Sequence, residues 1–174
     1  MRNIFIGFLL VFINFSIDTS GSKIGLIPDF LGYIFILRGL EELVDKSMFF
    51  KIKPYVTGMI VYSLVLYFFD LFGFSLSYRI LTYIFAFIST VISLFISYNI
   101  VMGINDMERI HGISLNGDRL NSMWRIYALV VIISYVLIVI PLLAIFSIIA
   151  SFVITVFFLI EFNTTKKMYY EKIR

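Results

Sequence analysis

The 174-residue chain contains no cysteine. Disulfides, thiolate nucleophiles and cysteine-based metal sites are therefore outside its chemistry. A single histidine, His111, gives no basis for a histidine metal centre, and no metal site or cofactor is expected. Charge is scarce: 14% of the residues are Asp, Glu, Lys or Arg, against about 25% in soluble domains. No H-E-x-x-H, G-x-S-x-G or phosphate-loop pattern occurs. The net charge is only +3, and the basic residues sit at the ends of apolar runs rather than in one patch. Nucleic acid is thus not an expected partner.

What the chain does have is apolar surface. Sixty-one per cent of its residues are hydrophobic, and 20 are Phe. Soluble domains run at about 45–50% apolar, so a core of this length cannot hide the excess, which must face lipid. The expected fold class is all-α, a polytopic transmembrane helical bundle of about six short spans forming a single integral membrane domain. A bilayer core about 30 Å thick takes roughly 20 helical residues. On that measure the spans fall near 3–17, 28–44, 55–74, 80–104, 124–140 and 142–162, followed by a basic tail at 163–174. The first run is short, but no small-residue cleavage site follows it, so it is read as an uncleaved span rather than a signal. The stretch 124–162 is too long for one crossing, and Pro141 near its middle marks a hairpin between two spans. Pro28 suits a helix start, where its missing N–H costs little, and Asp29 in the first turn favours the helix N-terminus. This second helix either spans fully or is partly re-entrant.

Basic residues set the orientation, because short cytoplasmic loops collect Lys and Arg. With both termini inside, only Lys23 and Arg79 of the 14 basic residues fall outside. The expected location is therefore a bacterial inner membrane, with N- and C-termini cytoplasmic. Trp124 and Tyr127 are expected as aromatic anchors at the interface. The tail is expected on the anionic inner leaflet. A turn is expected between Gly112 and Gly117, after a fourth helix that continues past the membrane.

Association of helices in lipid relies on small residues and interhelical hydrogen bonds. Ala86, Ser89, Ser93 and Ser97 recur at helical spacing in the fourth span, as do Ser147, Ser151 and Thr155 in the sixth. Gly32 and Gly39 lie two turns apart on one face of the second. All are expected to face other helices. Ionisable residues within spans are costly and mark candidate sites. Asp70 is the leading one, about a turn from the outer end of the third span, with Ser63 and Tyr67 on its face. Asp18, Lys23, Asp29, Tyr33 and Arg79 are expected at the same outer level, forming a candidate polar vestibule. The plainer reading is that Asp70 pairs with Arg79 or Lys23 and pins the helix ends.

Glu41-Glu42-Leu43-Val44-Asp45-Lys46 is similar to the paired-glutamate motif of intramembrane CAAX-type proteases. Those enzymes need histidines on other helices, and the chain supplies none there, so no catalytic residue is assigned. Ile27-Pro28-Asp29-Phe30-Leu31-Gly32-Tyr33, followed by Gly39-Leu40, resembles a pattern in a family of small bacterial polytopic membrane proteins without an assigned activity. That resemblance implies a structural landmark after the first span and carries over no catalytic role. The expected function is that of a non-enzymatic accessory or interaction subunit. Its partners would be the bilayer and another membrane protein or a second copy. The alternative is a small transporter or substrate-binding component using the outer acidic vestibule, with an unknown small-molecule ligand.

Overall fold

The computed structural model describes residues 1–12, 16–19, 22–25, 28–43, 46–72, 79–137 and 140–173, with side chains undescribed at 16–19, 22–25, 46–48, 70, 79–82 and 141. Six α-helices follow one another: α1 (Arg2–Phe12), α2 (Asp29–Glu41), α3 (Lys53–Leu71), α4 (Arg79–His111), α5 (Gly117–Leu137) and α6 (Pro141–Lys172). A short antiparallel hairpin of β1 (Ser16–Thr19) and β2 (Ser22–Gly25) lies between α1 and α2. A 3-10 helix, Lys46–Ile52, leads into α3. The fold is an all-α bundle, and among the described residues four helices are long and apolar enough to cross a membrane. The chain divides into two compact units, Met1–Ile96 and Ser97–Arg174, with the division falling within α4.

In the first unit α1 and α2 are antiparallel and nearly touch through their backbones. A Cβ on Gly7 would lie 2.6 Å from the Gly32 carbonyl oxygen, and one on Gly39 would lie 2.6 Å from the Ile4 nitrogen. Only glycine permits that approach, which brings Ile4, Phe8, Ile36 and Leu40 into a buried seam. Asn3 donates to Glu42 across the same end at 2.6 Å. α2 then runs antiparallel to α3: Phe30 meets Tyr67 edge-on at 5.7 Å, and Glu41 pairs with Lys53 at 3.5 Å. Pro28 precedes α2 in an extended conformation, with Asp29 in the first turn, as the sequence suggests.

In the second unit α5 and α6 form the hairpin expected at Pro141, which opens α6. Tyr127 stacks on Phe158 at 5.3 Å, and Ser134 meets the Ser151 hydroxyl at 2.6 Å. Tyr127 is therefore buried against α6. Trp124 donates to Ser97 at 2.9 Å, joining α5 to the later half of α4.

Two helix ends differ from the sequence reading. α1 is Arg2–Phe12, and Ser16 and Ile17 near the end of the apolar run belong to β1. α4 runs on to His111 and α5 begins at Gly117, which agrees with the expected continuation of the fourth helix and the turn between Gly112 and Gly117. α6 continues to Lys172, so the basic tail prolongs the last helix. Helical hydrogen bonding does not stop where hydropathy falls, and these polar turns pack on one another outside the apolar zone.

Candidate functional sites

Among the described residues each unit holds a polar assembly. In the first unit it begins one turn into α2. Tyr33, 2% exposed, shares a hydrogen bond with Ser93 of α4. Asp29 and Tyr62 are near enough to act on Tyr33 electrostatically. Tyr62 on α3 donates to the Phe85 carbonyl of α4 at 2.9 Å. The Phe30–Tyr67 contact sets Asp29 level with Tyr67, one turn from the end of α3 at Leu71. Asp29 is half-buried there.

Of the outer vestibule read from sequence, Asp29 and Tyr33 come together, with Ser93 and Tyr62 as additional members. Ser63 is buried but donates to carbonyls of its own helix, Met59 at 2.5 Å and Ile60 at 3.3 Å, so it points nothing polar at the group. Tyr67 packs its ring against Phe30 and Phe68. The side chains of Asp18, Lys23, Asp70 and Arg79 lie outside the described residues. Their backbone positions place Asp18 opposite Lys23 in the hairpin, Asp70 in the last turn of α3, and Arg79 at the start of α4.

The small-residue stripes have different surroundings. Gly32 and Gly39 seat α2 on α1. Ser147 and Thr155 are buried and Ser151 bonds Ser134, so the α6 stripe faces α5. Ser97 is buried and Ser89 and Ser93 are half-buried, whereas Ala86 is exposed.

The second assembly was not singled out by sequence. It forms where α4 ends, the 112–116 loop turns, α5 starts and α6 passes. Gly112 takes φ +62°, and the Ile113 amide donates to the Glu108 carbonyl at 3.2 Å, closing α4 with a left-handed cap. The Glu108 carboxylate then receives the amides of Leu115 at 3.0 Å and Gly117 at 2.8 Å, which caps the start of α5. Asn116 adopts φ +66°, a conformation Asn tolerates better than most residues, and its side-chain amide donates to Glu161 of α6. Arg119 reaches the other oxygen of Glu161 at 3.1 Å. Lys172 donates to the Ser114 carbonyl at 2.8 Å. The Asn116-Gly117 pair was a visible turn signal. Glu161, only 5% exposed, reads in sequence as a charge at the end of an apolar run.

Among the described residues no three His, Cys, Asp or Glu side chains gather as a metal cluster. No protein-family model, curated protein or solved structure matches the chain.

Proposed function

We propose that this integral membrane protein acts without catalysis of its own, as an accessory or interaction subunit with both termini in the cytoplasm. The supporting observation is an exposed stretch of α4. All six residues from Tyr83 to Ile88 are exposed, and Ala86 among them belongs to a stripe of small residues. In lipid, where tails are as apolar as Leu, such stripes allow close backbone approach between helices. A partner helix, from another membrane protein or a second copy, would use that face.

The cysteine-free background makes the test direct. Ala86→Cys and Thr90→Cys, treated with a short bis-maleimide in native membranes, are expected to trap one species of defined larger mass. Ile88→Cys, on a different face, is expected to trap much less. A chain that stays monomeric in all three variants contradicts the reading.

Asp29 beside Tyr33 favours a second reading, in which the outer end of the first unit admits a small polar solute or cation. Asp29→Asn and Asp70→Asn would then abolish binding or flux while leaving the protein folded. Unchanged flux in both variants removes that alternative.

A further inference from the structure

In α5 the exposed side chains are confined to one face. From Asp118 to Val136 they fall within an arc of about 140°, at about 100° per residue. Leu120, Tyr127 and Ala128 on the far side are buried. The exposed face changes character along its length. Its first part carries Arg119, Ser122 and Arg125, spaced three residues apart, so the serine stands one turn from each arginine. Its continuation, from Ile126 through Leu129 and Ile133 to Val136, is apolar and exposed.

The depth of Arg125 decides what meets this face. α5 is one of the span-length helices. From its last residue, Leu137, to Arg125 is about 18 Å at 1.5 Å per residue, well short of a bilayer core about 30 Å thick. Arg125 therefore lies at the inner edge of the hydrocarbon, where an arginine reaches the headgroup layer by extending its side chain or draws a headgroup down to itself. Among the described residues it makes no ion pair, since Glu161 is engaged by Asn116 and Arg119. Asp118 lies two turns away, about 10 Å along the axis. We propose that this face of α5 binds one anionic phospholipid, its phosphate held by Arg125 and Ser122 and an acyl chain laid along Ile126, Leu129 and Ile133. A guanidinium grips phosphate oxygens in pairs, and the hydroxyl donates to another. A zwitterionic headgroup would bring its ammonium towards Arg119, which selects against it. The site needs α5 to span the bilayer and is independent of the partner face on α4.

Trp124, the only tryptophan in the chain, neighbours Arg125 and reports the lipid beside it. The full-length protein is reconstituted with phosphatidylglycerol or phosphatidylcholine carrying brominated chains, at equal mole fraction, and quenching of Trp124 is followed. The anionic lipid is expected to associate about fivefold more strongly. Arg125→Gln should erase the preference, Arg125→Lys should keep part of it, and Arg109→Gln, exposed at the end of α4, should leave it intact. Equal quenching by the two lipids in the wild type would overturn the site. So would equal loss in Arg109→Gln and Arg125→Gln, which is the mark of diffuse attraction. Reversal of the quenching difference by excess inorganic phosphate would assign the arginine to a soluble anion and also overturn it. Should Arg125→Gln fail to fold, native mass spectrometry of the wild type from an equal mixture of the two lipids decides. Retained phosphatidylglycerol is expected, and equal retention of both contradicts the proposal.

Discussion

At Gly39 a single methyl group has nowhere to go. Its Cβ would lie 2.6 Å from the Ile4 nitrogen and 3.1 Å from the Asn3 carbonyl carbon, both backbone atoms. Gly39→Ala is expected to destabilise the protein by about 1–3 kcal/mol, the usual cost of overpacking, read from thermal unfolding in detergent. Gly58 is the control: nothing lies within 4 Å of its Cβ position, and it sits inside α3. Gly58→Ala should be neutral or stabilise by up to about 1 kcal/mol. The Tyr33–Ser93 hydrogen bond is expected to be modest. A double-mutant cycle of Tyr33→Phe and Ser93→Ala should give coupling of about 0.6 kcal/mol and no more than about 2 kcal/mol. A coupling near zero would mean that the bond does not hold α2 to α4. Gly32 and Gly39 were legible because two glycines two turns apart on one face mark a close helix contact. Their counterpart Gly7 was not, since one glycine in an apolar run carries no period. Glu161 was missed for a similar reason: its partners Asn116 and Arg119 lie more than 40 positions away, beyond the reach of local pattern.

Among the elements, the α4–α5 turn depends most on one side chain. Glu108 receives two otherwise orphaned amides at the start of α5, at 3.0 and 2.8 Å, while its own carbonyl closes α4. Glu108→Ala should cost about 1–2 kcal/mol of stability, as loss of a helix cap does, and Glu108→Gln should retain part of it. Equal stability of wild type and Glu108→Ala, measured by chemical unfolding, would show the cap to be dispensable. Helix type was clear from the long apolar runs, and the hairpin at Pro141 from a run too long for one crossing. Helix ends were less clear. α4 spans about 50 Å and α6 about 48 Å at 1.5 Å per residue, well past a 30 Å bilayer core. The continuation of α4 was read from the polar residues before Gly112, whereas hydropathy, which marks where lipid ends, said nothing of the polar turns that continue α6. At the other extreme, α1 and α2 reach only about 16 and 20 Å. The β-hairpin between them takes up the end of that apolar run, and β2 lies against α3.

For the whole molecule, composition carried most of the argument. Four span-length apolar helices agree with a chain whose apolar content cannot be buried internally. Which face of the membrane each end occupies rests on the basic residues alone, since 12 of the 14 fall on one side of the expected topology. Partner and ligand were not legible, because they depend on side chains that converge only in three dimensions, such as Tyr33 with Ser93 or Asn116 with Glu161. The orientation can be read directly in a chain without native cysteine. Ile140→Cys lies at the α5–α6 turn and His111→Cys at the α4–α5 turn, and both positions are exposed. In intact cells, a membrane-impermeant maleimide is expected to label Ile140→Cys at once and His111→Cys only after permeabilisation. Equal labelling of the two from outside, or the reverse order, would contradict a polytopic protein with its basic ends in the cytoplasm.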